Sequence, residues 1–343
     1  MYKYSITPNI LKLIKSIYAV SARLQNRHPS KVVLFELEKE ANSLSSFSST
    51  SIEGNPLPLT EVRKILKNRP KNIRDTEREV LQYNDTLIWL NSLIKDKSFN
   101  LTSKMIIQIH NKLMSGLLPK IKLGQFRKEA VLVNDPKSRR PIFWPPDYSD
   151  VVPMMTQLFD FVKNEKDNLD PLIIAGIFHK QFVLIHPFID GNGRTVRLAT
   201  KTLLAELGLN TFSLFSFENY YHQNVSKYFQ KVGERGNFYD FSKKTDFTPW
   251  LEYFCEGVLD ELLRVEKKLV AVNADTPEKA LNSNQEKIIS YLSENEFIRD
   301  RDYAKITERA KATRALDFKK LVQFGHIEKH GQGPATYYKL KKS

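Results

Sequence analysis

Apolar residues recur every three to four positions along most of the chain, the spacing of amphipathic helices. Ile10, Leu11, Ile14, Ile17, Tyr18 and Leu24 mark one stripe over residues 9–24. After a break at His28-Pro29-Ser30, Val33, Leu34, Leu37, Ala41 and Leu44 mark a second over Lys31 to Ser48. Thr60 is placed to cap a short helix from Glu61 to Lys67. Helices are also expected at Asp75 to Ile94 (Val80, Tyr83, Leu87, Leu90 and Ile94 inward) and at Leu101 to Leu113. Val151 to Lys163 and Asp170 to Ile185 follow. The second is apolar almost throughout and is expected at the centre of the molecule. Thr195 to Leu207, Glu218 to Val232 and Thr248 to Val270 continue the series, the last with a proline at its first position.

The helical rhythm stops in a few places. Between Gly116 and Pro146, Val131-Leu132-Val133 and Ile142-Phe143-Trp144 flank a turn cluster from Asn134 to Arg140, which predicts a β-hairpin. Gly233 to Asp246 reads as a polar loop and residues 273–283 as a linker. Beyond it, helical runs at Gln285 to Ser293, Asp302 to Ile306 and Ala310 to Phe324 precede two strand-like runs, His326 to His330 and Ala335 to Leu340. Three helices and a hairpin in about sixty residues resemble a winged helix. The expected class is mainly α.

Chemistry concentrates in twelve residues, His186-Pro187-Phe188-Ile189-Asp190-Gly191-Asn192-Gly193-Arg194-Thr195-Val196-Arg197. Glycine is scarce, 13 in 343 residues, or about half the ~7% average, so two within three residues carry weight. Gly191 and Gly193 permit positive φ and can turn backbone N–H groups toward one point at a helix N-terminus, an anion seat. Asn192 can add a side-chain donor. Arg194 and Arg197 offer guanidinium forks suited to phosphate oxygens. Asp190 is a hard oxygen ligand suited to Mg²⁺ beside phosphates. His186, with a reference pKa of ~6.5, can take a proton from a hydroxyl.

The run from His186 to Arg197 matches His-x-Phe-x-(Asp/Glu)-Gly-Asn-Gly-Arg-x-x-Arg at every specified position, and so resembles the Fic family of protein adenylyltransferases. The resemblance implies an enzyme that transfers AMP from ATP to a Ser, Thr or Tyr hydroxyl of a target protein, and to itself. It implies His186 as general base and Asp190 as Mg²⁺ ligand. It places Gly191, Asn192, Gly193 and Arg194 on the α- and β-phosphates and Arg197 on the γ-phosphate. Gly124-Gln125-Phe126-Arg127 also looks like the family. The hairpin near residues 131–144 would be its flap, along which a target segment pairs. An aromatic from the region of Tyr228 and Phe229 would stack on adenine. Ser49-x-x-x-Glu53-Gly54 is similar to the family's inhibitory motif, in which the glutamate pairs with the second arginine, here Arg197. Ser49 and Glu53 stand four apart and share a helix face. Without that likeness, the serines of Ser45 to Ser51 read as a linker.

Composition adds limits. No apolar stretch reaches the ~18 residues of a spanning helix, and the first residues lack the apolar region of a signal peptide. One cysteine, Cys255, excludes an internal disulfide, which points to a reducing cytoplasm. His110 has no second His or Cys spaced to share a metal and reads as a core or groove histidine. The net charge of +14 favours anionic partners, and the residues from Ala310 onward hold eight bases against Asp317 and Glu328. The expected organisation is an N-terminal helical region (1–100) with its inhibitory segment near 49–54, a Fic core (101–272), a linker (273–283) and a winged helix (284–343). The expected function is a self-inhibited protein adenylyltransferase using ATP and Mg²⁺, with hydrolysis of AMP–protein esters open to the same groups. The alternative is a nucleotide-sensing regulator that binds DNA through 284–343. A homo-oligomer is also carried as a partner state.

Overall fold

The computed structural model describes residues 2–25, 31–135, 138, 140–209, 216–274 and 281–341. The expected break at His28-Pro29-Ser30, most of the linker and part of the 134–140 turn lie outside them. The chain divides into two compact units, Met1–Gln25 with Glu40–Val265 and Asn26–Lys39 with Glu266–Ser343.

The first helices are α1 (Pro8–Gln25), α2 (Lys31–Ile52), α3 (Leu59–Asn68), α4 (Asp75–Lys95) and α5 (Ser103–Met114). The serine-rich stretch is the buried C-terminal end of α2, not a linker: Ser45, Ser46, Ser48 and Ser49 are fully buried. Ser46 Oγ bonds back into the helix at Asn42 O (2.8 Å), as Thr50 Oγ1 does at Ser46 O (2.8 Å). Ser45 Oγ donates to Glu218 Oε2 at 3.2 Å, Ser49 Oγ accepts from Arg197 Nε at 2.8 Å, and Ser48 Oγ has no partner among the described residues. Gly54, at φ 95°, ends this segment. Helix α3 starts at Leu59 after Pro58, with no side-chain cap, so the expected Thr60 cap is replaced by a proline that sets the entry.

A short sheet follows, β1 (Val133–Asn134) and β2 (Pro141–Trp144), which pair antiparallel as expected of the hairpin. Then come α6 (Tyr148–Glu165) and α7 (Pro171–Ile185). Asp170 caps α7 through Leu172 N at 2.8 Å, with Pro171 at the first position. Twelve of its fifteen residues are buried, because apolar groups surround it on every side. Gly176 lets the next partner approach: a Cβ there would meet Leu251 at 2.6 Å, and Trp250 Nε1 donates to Gly176 O at 2.8 Å.

Helix α8 (Asn192–Glu206) begins three residues before the expected Thr195. The single helix expected from Glu218 to Val232 is two, α9 (Phe217–Gln223) and α10 (Val225–Val232). Asn224 separates them and caps the second through Lys227 N at 3.0 Å. The expected polar loop after Gly233 contains β3 (Gly236–Asn237) and α11 (Phe238–Phe241). β3 adds in parallel to β2, pairing Phe143 with Gly236 and Trp144 with Asn237. Phe143, Leu184 and Phe238 form the small core beneath that sheet. Helix α12 (Thr248–Ala274) closes this part of the chain.

In the second unit, α13 (Ser283–Glu294), α14 (Asp300–Tyr303) and α15 (Lys311–Gln323) precede the antiparallel pair β4 (Ile327–His330) and β5 (Tyr337–Leu340). Ile288, Ile289, Leu292, Ile298, Tyr303, Phe318, Leu321 and Ile327 form a core of their own. The chain is mainly α. Among the described residues, no helix is long and apolar enough to cross a membrane.

Candidate active site

The apolar run of α7 ends at His186, which caps it in the left-handed region at φ 52°. This αL position turns the chain sharply out of the core and into the polar loop. The imidazole Nδ1 lies 3.2 Å from Val183 O. A carbonyl only accepts, so Nδ1 carries the proton and the lone pair is on Nε2. Burial lowers the His186 pKa to about 4, with Arg127 acting in the same direction against the Val183 bond, Glu53 and Asp190. At neutral pH the ring is a proton acceptor.

Arg127 fixes this corner. It is 3% exposed, and its guanidinium donates to His186 O at 2.8 Å, to Glu129 O at 3.2 Å and to Pro146 O. Its own N–H donates to Pro187 O at 2.9 Å. One side chain thereby joins the histidine corner to both ends of the hairpin. The likeness around Gly124 to Arg127 flagged the segment, but its role needed the fold.

The loop from Pro187 to Gly191 is braced from within. Asn192 Oδ1 accepts from Phe188 N at 2.8 Å and Nδ2 donates to Phe188 O at 2.8 Å. That corrects the expected side-chain donor: the Asn192 carboxamide is used on the loop's backbone, and its N–H is what faces the helix start. His110 is a second brace. It stacks on Phe188 at 3.8 Å, its Nδ1 accepts from Gly124 N at 3.2 Å, and its Nε2 therefore donates to Asp190 O at 3.1 Å. Burial lowers its pKa to about 4. It is a core histidine, as its isolation in the sequence suggested.

Gly191 adopts φ 77° and caps α8. Gly193 does not have the positive φ expected of it; it lies inside the helix. Its missing side chain serves close approach instead, because a Cβ would collide with Glu53 Oε1 and come 3.0 Å from Arg197 Nη1. The first N–H groups of α8 have no acceptor within their own helix, which makes this end an anion seat.

A carboxylate already lies at that seat. Glu53 Oε1 accepts from Arg197 Nη2 at 2.7 Å. Arg197 is fully buried; its Nε donates to Ser49 Oγ at 2.8 Å and its Nη2 to Ser49 O at 2.9 Å, while Nη1 finds no partner among the described residues. Burial would raise the Glu53 pKa, but Arg197 and Arg194 outweigh it and hold the carboxyl below its usual range. Arg194 pairs with Glu79 of α4 and lies 3.3 Å from Asp190 Oδ1. Asp190 is half-exposed and also accepts from Gly191 N at 2.5 Å. No periodicity marked Glu79; its one signal is its place four before the inward Tyr83.

Tyr228 is not a free platform for a base. It is 1% exposed, stacks on Tyr221 at 4.7 Å, and its hydroxyl lies 3.1 Å from His179 Nε2. An aromatic stripe at helical spacing is core here, and Phe229, half-buried beside it, is the member of the pair with surface to offer.

The hairpin's β2 has both edges paired, to β1 and to β3, so among the described residues the sheet's outer strands are β1, on the hairpin side, and β3. Lys180 holds the connection from α10 to β3, donating to Lys231 O at 3.0 Å and pairing with Glu234 Oε1 at 2.9 Å.

Comparison with known proteins follows this geometry. Residues 100–204 match the Fic/DOC family. A protein named "Protein adenylyltransferase Fic" from Drosophila willistoni is 32% identical over 200 residues, which are 57% of this chain and 38% of that protein. One of the same name from Drosophila erecta is 33% identical over 186 residues, 53% of this chain and 36% of that one. The chain thus spans less than two fifths of the length of these curated relatives. The crystal structure of a Fic family protein from Desulfovibrio desulfuricans G20 superposes over 100% of this chain and 99% of its own, with TM-score 0.64 and 20% identity. Fic-1 from C. elegans covers 78% of this chain and 74% of its own, with TM-score 0.60 and 21% identity. The fold, the motif loop and the matched residues make the segment from 100 to 204 a Fic/DOC-family domain.

Proposed function

We propose that this chain is a self-inhibited protein adenylyltransferase that moves AMP from ATP to a target protein hydroxyl. The observation that carries the reading is the pairing of an unprotonated His186 Nε2 with the helix seat of Gly191 to Arg197. The Drosophila relatives bear the adenylyltransferase name and support the transfer of that activity.

His186 Nε2 takes the proton of a Ser, Thr or Tyr hydroxyl. The freed oxygen forms a bond to the α-phosphorus as the bond to the bridging oxygen breaks, and pyrophosphate leaves. The N–H groups of Asn192, Gly193 and Arg194 and the guanidinium groups of Arg194 and Arg197 stabilise the charge on the phosphates. Arg127 holds the imidazole corner in place throughout. Asp190, a half-exposed carboxylate beside a phosphate seat, fits Mg²⁺, which takes one or two carboxylates and completes its shell with phosphate and water. Among the described residues no three His, Cys, Asp or Glu side chains gather as a closed metal cage. Bound Mg²⁺ would neutralise phosphate charge. Phe229 is the candidate to meet adenine. The target strand is assigned to the open edge of β1 at Val133 and Asn134. Water in place of the hydroxyl would use the same base on an AMP–protein ester.

Glu53 and Ser49 hold Arg197, and through it the seat that the γ-phosphate requires. The Glu53 carboxylate and the triphosphate are both anionic ligands of one cation, so they compete. Neither Drosophila relative is named for DNA, and the DNA-binding regulator gains no support from them. A cytoplasmic setting rests on the cysteine usage alone.

The test is mass spectrometry of the Glu53→Gly chain after incubation with ATP. The expected product is the protein plus AMP, and His186→Ala in the same background lowers its rate by ~10²–10⁴-fold with ATP binding retained. Phosphate addition instead of AMP, or equal rates with and without His186, overturns the reading.

A further inference from the structure

Arg194 is gripped by two carboxylates, and only one belongs to the motif. Its Nη2 lies 3.3 Å from Asp190 Oδ1, four residues earlier. Its Nη1 pairs with Glu79 Oε1 from α4, 115 residues away in sequence. Both side chains are sheltered, with Arg194 6% and Glu79 15% exposed. Arg194 Nε is buried and has no hydrogen-bond partner among the described residues. A planar guanidinium held along one edge has its orientation fixed and keeps a donor for an arriving anion.

The second oxygen of Glu79 reaches a different element. Oε2 accepts from Asn55 Nδ2 at 2.7 Å, and the same amide nitrogen donates to Thr76 O at 2.8 Å. Asn55 Oδ1 accepts from Leu57 N at 3.1 Å, and Asn55 N donates to Thr50 O at 3.1 Å. The amide nitrogen of this side chain therefore ties the Glu53-Gly54-Asn55 turn to α4, its backbone N–H ties it to the end of α2, and its oxygen braces the chain just after the turn at Leu57. Asn55 is 8% exposed. Being neutral, it takes one oxygen of Glu79 without competing for the charge that holds Arg194.

On the adenylyltransferase reading, we propose that Glu79 is a positioning residue with two tasks. It sets Arg194 for the nucleotide phosphates, and through Asn55 it keeps the turn carrying Glu53 against Arg197. The two arginines of the motif are thus each met by an acid from the N-terminal helices, and Asn55 joins the two acids mechanically. Glu79 touches neither reacting atom. It acts through Arg194 on binding and through Asn55 on inhibition.

The experiment separates these tasks by background. In Glu53→Gly chain, where the latch is absent, Glu79→Gln should raise the KM for ATP about tenfold with kcat within about twofold. Arg194→Gln should raise it as well, and the double variant should be no worse than Arg194→Gln alone, because both changes break one interaction. Asn55→Ala should speed automodification severalfold in the parent chain and change nothing in the Glu53→Gly background. Thermal midpoints are measured for each, and if Glu79→Gln fails to fold, the Asn55→Ala comparison decides. An unchanged KM in Glu79→Gln, additive losses in the double variant, or an Asn55→Ala effect of equal size in both backgrounds overturns the proposal. ATP affinity by calorimetry reads the Arg194 task without any transfer. If Glu53→Gly transfers no AMP but Glu79→Gln still weakens ATP binding about tenfold, the activity reading fails and the clamp stands.

Discussion

The end of α2 and the hairpin flap both reach the motif loop, and they are fastened by opposite means. The α2 end is held by polar side chains. Lys201 Nζ donates to Ser45 Oγ at 3.0 Å, Ser45 Oγ donates to Glu218 Oε2 at 3.2 Å, and Arg197 takes Ser49 and Glu53. The flap is held by an apolar base of Phe143, Leu184 and Phe238, by backbone pairing to β3, and by Arg127 on carbonyls. A charge-held segment can exchange its partner for another anion. An apolar, backbone-paired one has no such substitute in water. Hence α2 suits a releasable stop, and the flap suits a fixed wall from which His186 works.

If that contrast holds, breaking the flap's fastening should cost more than breaking the latch. Arg127→Met leaves the carbonyls of His186, Glu129 and Pro146 without their donor. Each buried unsatisfied group costs ~1–3 kcal/mol, so denaturant unfolding should show a loss of about 2 kcal/mol or more. A shift of ~1 Å at the reacting histidine costs on the order of 10²-fold in rate. Automodification in the Glu53→Gly background should fall by about that factor. A variant of parental stability and rate would mean that the corner is set by the αL turn alone.

The latch should give the next largest effect, with the opposite sign. Glu53→Gly removes a charge-assisted bond worth ~1.5–3 kcal/mol and should raise automodification about tenfold or more. Arg197→Ala should lower activity and erase that gain, since the hydrogen bond the glutamate makes is to Arg197. Labelled-ATP incorporation by the single and double variants decides it. A Glu53→Gly chain that folds, binds ATP and runs no faster would reduce the α2 end to a structural helix terminus.

What could be read in advance divides along the same line. The motif was legible because its chemistry is contiguous, from His186 to Arg197, and Ser49 and Glu53 were legible only through their likeness to the family's inhibitory motif, the spacing of four adding that they share a helix face. The mainly helical class followed from the apolar period. Glu79 and Arg127 were not legible as partners, because they meet Arg194 and His186 across 115 and 59 residues. β3 was missed because two residues at Gly236 carry no alternation; pairing with β2, not propensity, makes them a strand. Asn192 was given a role its neighbours had taken, and Tyr228 was offered to a ligand although the core uses its ring. Asn224 splits a helix without glycine or proline, through a cap that only the fold reveals.

A gentler change should refine the latch. Ser49→Ala removes the acceptor of Arg197 Nε but leaves Glu53 in place. A single hydrogen bond contributes ~0.5–1.5 kcal/mol, so automodification should rise about threefold, below the Glu53→Gly effect. A rise as large as that of Glu53→Gly would move the weight of the latch from the charge to the helix contact.

The smallest expected effect is the response to pH, and it tests both fastenings together. In the Glu53→Gly chain His186 must be neutral to accept a proton. Its pKa is lowered by burial to about 4, and activity is lost only as pH falls through that value. Removing Glu53 takes away a group that raises it, so the variant's histidine titrates no higher. Between pH 6 and 8 the transfer rate should therefore change by less than about 1.2-fold on this account. An unperturbed imidazole with pKa ~6.5 would be about one quarter neutral at pH 6 and would give roughly a fourfold fall. In the parent chain, the Glu53 carboxyl is held below its usual range by Arg197 and Arg194, so it remains charged and the latch remains shut over the same interval. The contribution of a lowered carboxyl is present above its unfolded value and is lost only as pH drops further. Both profiles should be flat from pH 6 to 8, measured as initial automodification rates at fixed ionic strength with ATP well above KM. A fourfold fall by pH 6 in the Glu53→Gly chain would place His186 in water rather than in the buried corner made by Arg127. A rise confined to the parent would make proton uptake, rather than exchange for phosphate, the event that frees Arg197.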